Sequence, residues 1–224
     1  MLIDEDPIVY IVDDSDSVRD ALSLLMKSVG LKAACFSLAQ EFLNGYKPAG
    51  PGCLVLDVRM PGMSGLELQQ LVVAKKIPLP IIMITGHGDV SMAVRAMRTG
   101  AMNFFEKPFN DQALLDCIHE SISQSKKMLG RIYRSKEIIS RLKKLSDRER
   151  EVLDLIVSGR FSKAIGAHLG ISSKTVDVHR KNILDKMQVK TPVEVVRLLM
   201  SLDVDYEDAL AMKVHDFEKL GNAS

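Results

Sequence analysis

Three runs in the first half of the chain, Ile8–Val12, residues 53–57 and Ile81–Thr85, are apolar at nearly every position. A strand with one wet face alternates apolar and polar residues, whereas a strand covered on both faces does not. Residues 33–36 and 103–106 read as two further strands, bounded by turn residues. Between these runs the apolar spacing is helical. Val18, Leu22, Leu25, Met26 and Val29 share one side of a helix over 16–28, and Gly30 ends it. Ser37 is expected to cap a short helix through residue 44. Helices over 64–74 and 89–99 follow, and Gly100 stops the second. Asn110 or Asp111 caps a last helix that carries Leu114, Leu115, Ile118 and Ile122. Alternating β and α elements imply an α/β fold, a five-stranded, doubly wound parallel sheet wrapped by helices. Sites in such sheets lie at the carboxyl ends of the strands.

The polar residues fit that rule. Asp13 and Asp14 follow the first strand, Asp57 ends the third, Thr85 ends the fourth and Lys107 follows the fifth. Five polar groups from four strands therefore converge on one rim. Crowded carboxylates repel one another, so a cation must be present or a pKa must rise. Oxygen-only ligands point to Mg²⁺. Asp57 would then attack phosphorus as a carboxylate nucleophile, with the metal and Lys107 stabilising the transferring oxygens and the Thr85 hydroxyl donating to the product. A phosphatase of the haloacid-dehalogenase type uses related chemistry, but it needs a second Asp two residues after the nucleophile. Arg59 stands there, which argues against turnover.

The segments V-D-D at 12–14, L-D-V-R-M-P-G-M-S-G at 56–65, T-G-H-G-D at 85–89 and F-F-E-K-P-F at 104–109 resemble a response-regulator receiver domain, a flavodoxin-like fold, over about residues 7–124. The resemblance implies that Asp57 accepts phosphate from a sensor histidine kinase. It implies that Asp14, Asp57 and the backbone carbonyl of Arg59 hold Mg²⁺, with Asp13 supporting. It also implies that Lys107 pairs with the phosphoryl group before a cis Lys107–Pro108 bond, that Thr85 moves toward the phosphoryl group and that Phe104 then turns inward.

Charge divides the chain. Residues 1–124 hold 10 Lys/Arg and 15 Asp/Glu, and residues 125–224 hold 20 and 14. The basic half is the better nucleic-acid candidate. Residues 125–145 hold 8 Lys/Arg and one acid, with Met128, Leu129, Ile132, Ile139 and Leu142 at helical spacing. They read as a helical linker, either solvated or paired with its copy, into which the preceding helix runs with only Gly130 interrupting. Ser146-x-x-Glu149 is a capping box that opens a helix with Val152, Leu153, Ile156 and Val157 inward, ended by Gly159. A helix over 162–169, a turn at 170–172 and a helix over 173–187 form a helix-turn-helix pattern. Thr191-Pro192-Val193-Glu194 then caps a fourth helix.

The wording of 146–159 and 169–187 resembles a LuxR-type helix-turn-helix, over about 146–200. Receiver and output together are similar to the FixJ-like subfamily of regulators. By position, the resemblance places Asp177, Val178 and Lys181 toward bases, and Lys174, Thr175, His179, Arg180 and Lys186 nearer phosphates. Glu149 falls at a scaffold position. Ser162 and Gly166 replace the commoner Asn and Ala and weaken the second helix slightly. Asp177 replaces a frequent Lys. An acid there cannot bind phosphate but can accept from cytosine N4, so a C is expected at that step.

The expected organisation is a receiver over 1–124, a linker over 125–145, an all-α helix-turn-helix domain over 146–206 and an acidic, amphipathic tail over 207–224. The expected function is transcriptional regulation by DNA binding, controlled through Asp57. Expected partners are a histidine kinase, promoter DNA, RNA polymerase and a second copy of the chain. Three cysteines without C-x-x-C spacing and no apolar run of membrane length point to a reduced, cytoplasmic protein. The competing reading is constitutive DNA binding with the first half as a protein-interaction module. Equal affinity before and after phosphorylation distinguishes it.

Overall fold

The structure is a computed structural model that describes residues 5–48 and 50–202. Described residues up to Arg131 form one unit, and those from Ile132 form a second.

The first unit is built on five parallel strands, β1 (Ile8–Val12), β2 (Lys32–Phe36), β3 (Gly52–Asp57), β4 (Ile81–Thr85) and β5 (Asn103–Glu106). Their order is β2-β1-β3-β4-β5. The helices are α1 (Asp16–Ser28), α2 (Ala39–Gly45), α3 (Gly65–Ala74), α4 (Val90–Arg98) and α5 (Asp111–Leu142). The alternating pleat of β1 shows why its sequence is apolar throughout. Val9 and Ile11 pack with Leu22 and Met26 of α1 and with Leu114 and Ile118 of α5. Tyr10 and Val12 face the opposite way, toward Phe42 of α2, Leu68 and Val72 of α3, and Ala96 of α4. All six residues of β3 are buried, as a central strand covered on both faces requires. The chain reverses its winding between β1 and β3, so the crevice there opens at the carboxyl ends of both strands.

Local chemistry sets the helix boundaries. The Ser64 hydroxyl accepts from the Glu67 N–H and the Glu67 carboxylate accepts from the Ser64 N–H, a full capping box on α3. Asp89 caps α4 through Met92 N, and Asn110 caps α5 through Ala113 N. Ser37 does not cap α2. The N-cap residue is Leu38, and both the Ser37 N–H and hydroxyl donate to the Glu41 carboxylate, because that acid lies within reach on the first turn.

The second unit holds α6 (Asp147–Val157), α7 (Ser162–Leu169), α8 (Ser173–Met187) and α9 (Pro192–Met200) around Val152, Leu153, Ile165, Val176, Ile183 and Val195. Gly170 takes the left-handed conformation (φ 67°) that turns α7 into α8. Thr191 caps α9, with Pro192 at its first position.

The stretch expected as a helical linker continues the last helix of the first unit. Helix α5 runs unbroken through Gly130. Near its start Leu114, Ile118 and Ile122 are buried in the first core. Ser125 is fully buried in the same unit, where its hydroxyl donates to the Pro78 carbonyl and accepts from the Gly52 N–H. Near its end Ile138 and Leu142 are buried in the second core, as is Leu145 just beyond it. Arg141 donates to the Met187 carbonyl at the end of α8. The tail expected over 207–224 and the last residues assigned to the helix-turn-helix domain lie outside the described residues. Among the described residues no helix is long and apolar enough to cross a membrane.

Candidate functional site

The carboxyl ends of β1, β3, β4 and β5 bring four of the five expected groups together. Lys107 Nζ bridges two carboxylates, Asp13 Oδ2 at 2.6 Å and Asp57 Oδ1 at 2.7 Å. Both acids are buried, and Lys107 is mostly so. The other Asp57 oxygen accepts from the Arg59 N–H at 2.7 Å, and the other Asp13 oxygen from the Ser15 N–H at 3.0 Å. Every carboxylate oxygen therefore has a donor, as burial demands. Lys107 is aimed by its own backbone, since its N–H donates to the Thr85 carbonyl at 2.7 Å, and the next peptide bond, Lys107–Pro108, is cis as expected. Thr85 is fully buried, and its hydroxyl oxygen accepts from the His87 N–H at 3.3 Å. Phe104 is half-buried against the core on its side of the sheet.

Two glycines let these groups pack. A Cβ on Gly65 would stand 2.0 Å from the Asp57 carbonyl oxygen, so α3 can start against the backbone of Asp57 only with glycine there. A Cβ on Gly88 would lie 3.0 Å from both the Phe104 ring and the Thr85 methyl group. Burial pushes the Asp57 carboxyl above its ordinary value, with the Asp13 charge adding to the rise, although Lys107 and the Arg59 N–H pull it back. For Lys107, burial lowers the pKa, but the hydrogen bonds it donates to Asp13 and Asp57 outweigh it and leave the ammonium above its ordinary value. A lysine between two carboxylates stays charged and leaves the pair net negative.

Asp14 is not gathered with the others. It is exposed and, with Arg59, Met60, Ser64 and Met92, lines an open cleft that begins just after Asp57. Among the described residues no three acidic, histidine or cysteine side chains converge as a ready-made metal cluster. The donor set still fits a hard divalent cation, because it is all oxygen, carries excess negative charge, and has one carboxylate free in the cleft.

In the second unit, α8 presents Lys174, Thr175, Asp177, Val178 and Lys181 as exposed residues, and Val178 is 55% exposed. The Ser172 hydroxyl caps the helix through the Thr175 N–H and also bonds the Thr175 hydroxyl. His179 and Arg180 are half-buried, and His179 Nδ1 is buried without a hydrogen-bond partner among the described residues. Lys186, expected near phosphates, is held in an ion pair. Its ammonium donates to the Glu149 carboxylate at 2.6 Å, a side chain only 5% exposed. Burial raises the pKa of Glu149, but Lys186 and the Ser146 N–H and hydroxyl more than offset it and hold the carboxyl below its ordinary value. Lys186 thus ties the end of α8 to the start of α6. Asp177 is also engaged, since it accepts from the Ser162 hydroxyl at 2.7 Å. Sequence reasoning treated Ser162 only as a weak helix former. It also missed Arg19, which donates to the Asp13 carbonyl at 2.6 Å, and Arg141.

Comparisons with known proteins agree on both units. Residues 9–119 match the family model of the response regulator receiver domain, and residues 143–199 that of bacterial regulatory proteins of the luxR family. The chain is 42% identical over 195 residues to the response regulator protein TmoT of Ectopseudomonas mendocina, covering 87% of this chain and 89% of the relative. It is 40% identical over 192 residues to the transcriptional regulatory protein FixJ of Bradyrhizobium diazoefficiens, covering 86% and 94%. Among solved structures it resembles the response regulator StyR, with a TM-score of 0.78 and 41% identity over 88% of this chain and 99% of that one.

Proposed function

Because the chain belongs to the response regulators that join a receiver domain to a LuxR-type DNA-binding domain, we propose that Asp57 is its phosphoacceptor and that phosphorylation there controls DNA binding through α8. The observation that carries the reading is the Lys107 ammonium held between Asp13 and Asp57 at 2.6 and 2.7 Å. An Asp57 oxygen attacks phosphorus, the O–P bond forms, and the N–P bond to the histidine of a sensor kinase breaks. Burial makes the Asp57 carboxylate more basic and hence a stronger nucleophile, while Lys107 keeps it ionised. As the phosphoryl group arrives, Lys107 exchanges a carboxylate for phosphoryl oxygens and stabilises their charge. Mg²⁺, held by Asp14, Asp57 and the Arg59 carbonyl with Asp13 in support, would neutralise the remaining charge of the donor set. Thr85 moves to donate to the product and Phe104 then turns inward, a movement that the absence of a side chain on Gly88, against which its ring now lies, leaves unobstructed.

Arg59 occupies the position where a phosphatase would keep its acid, so Asp57 acts as a switch and not as a turnover catalyst. In the second unit Lys174, Thr175, Asp177, Val178, His179, Arg180, Lys181 and Lys186 are the proposed DNA contacts, with Lys186 paired to Glu149 in the absence of DNA. Phosphorylation favours a dimer through α4, β5 and the receiver part of α5, where Val90, Val94 and Met97 leave an exposed apolar stripe on α4. Incubation with a small phosphodonor and Mg²⁺, then peptide mapping of the acyl phosphate, tests the assignment. Label on the peptide bearing Asp57, absent from Asp57→Ala, is expected. Label elsewhere in the wild-type chain would overturn it.

A further inference from the structure

The first residue of α7 and the fifth of α8 meet across the turn. The Ser162 hydroxyl donates to Asp177 Oδ1 at 2.7 Å, although the two residues are 15 apart in sequence. Ser162 does not cap α7, because the N-cap residue is Phe161 and no side chain caps that end. Its hydroxyl proton is committed to Asp177 instead. Asp177 is exposed on the same helix face as Lys174 and Lys181, three residues before it and four after. Those cations do not neutralise it, for Asp177 makes no ion pair among the described residues.

An unneutralised carboxylate on a cationic face has few uses against a polyanion. Phosphates repel it, and it has no proton to donate. The groups it can meet favourably in a major groove are exocyclic amines, above all cytosine N4. A lone aspartate would turn freely between several rotamers, whereas a hydrogen bond to Oδ1 fixes its plane and leaves Oδ2 to accept.

We propose that Ser162 and Asp177 form one base-reading unit, in which Asp177 accepts from the amine of a cytosine and Ser162 is the positioning residue that aims it. The proposal rests on the reading above that α8 enters the major groove. It places a specificity determinant on α7, outside the helix that touches the bases.

The test compares base preferences of the full chain, treated with phosphodonor, over a randomised duplex library. Wild type, Asp177→Ala, Ser162→Ala and Ser162→Thr are read side by side. Asp177→Ala is expected to lower discrimination at one base-pair step by about tenfold. Ser162→Ala is expected to weaken the same step by roughly three- to tenfold, and Ser162→Thr, which keeps the hydroxyl, to preserve it. The dependence of affinity on salt should not change, because neither residue neutralises a phosphate. If wild type shows base preferences but Ser162→Ala leaves them intact, or alters a different step from Asp177→Ala, the proposal is overturned. If wild type shows no preference at any step, the DNA-reading assignment of α8 itself fails.

Discussion

Replacing Gly65 by alanine is the sharpest perturbation of the phosphoacceptor site that leaves its polar groups untouched. The added Cβ meets the Asp57 carbonyl oxygen at 2.0 Å, the Asp57 carbonyl carbon at 2.9 Å and Leu56 Cγ at 3.1 Å. Ordinary contact begins at 3.4 Å, so the start of α3 and the backbone of Asp57 must part by more than an ångström. The movement also stretches the Gly65 N–H bond to the Val58 carbonyl, now 3.0 Å. Overpacking against rigid backbone costs about 3 kcal/mol, and the better helix propensity of alanine returns about 1, leaving roughly 2 kcal/mol of destabilisation. For a unit of this size that lowers the midpoint of thermal unfolding by about 7 °C. Displacing Asp57 by this much relative to Lys107 is expected to slow phosphoryl acceptance by about a hundredfold. Gly86→Ala is the control, since its Cβ meets nothing within 4 Å and its backbone needs no left-handed conformation. The assays are thermal unfolding by circular dichroism and the rate of phosphorylation from a small phosphodonor. A Gly65→Ala chain that melts within about 1 °C of the Gly86→Ala chain and accepts phosphate at the same rate would refute the packing argument.

Lys107→Ala leaves Asp13 and Asp57 without their shared cation, so phosphorylation is expected to fall by about a hundredfold or more, read by phosphate-affinity electrophoresis. Glu149→Gln strips the charge from the Lys186 pair and should destabilise the second unit by about 2–3 kcal/mol, measured by urea unfolding. Because the Glu149 pKa is depressed in the fold, its contribution is complete above the unfolded value and is lost as pH falls through the folded one, so Glu149→Gln should flatten the acid limb of the stability profile. Gly88→Ala crowds the Phe104 ring and the Thr85 methyl group at 3.0 Å, both movable side-chain atoms, and should shift how far phosphorylation changes dimer content more than it changes stability.

What the sequence disclosed follows from which forces are local. The strands β1, β3 and β4 were legible because burial on two faces leaves them apolar at nearly every position, and their ends located Asp13, Asp57 and Thr85 without further information. Caps such as Asn110 and Ser146 were legible because they act within one turn. Ser37 misled because a neighbouring acid, Glu41, captured the hydroxyl that would have capped α2. Contacts between distant residues left no periodic trace. Nothing near Lys186 announces that Glu149, 37 residues earlier, will take its charge, and nothing near Ser162 points to Asp177. The basic run at 125–145 looked like a linker because its charges dominate the composition. Its buried positions, Ser125, Leu129, Ile138, Ile139, Leu142 and Leu145, are interleaved with charged residues, and Ile138, Leu142 and Leu145 belong to the second core.

The central claim is that Asp57 is the input and DNA binding the output. Fluorescence anisotropy of the full chain on an operator duplex, at one fixed salt concentration, before and after phosphodonor and Mg²⁺, tests it most directly. Wild type should bind at least about tenfold more tightly after treatment, a coupling of about 1.4 kcal/mol, whereas Asp57→Ala should bind equally in both conditions. Equal wild-type affinity before and after phosphorylation would contradict the account and leave the first unit as a protein-interaction module beside a constitutive DNA-binding domain.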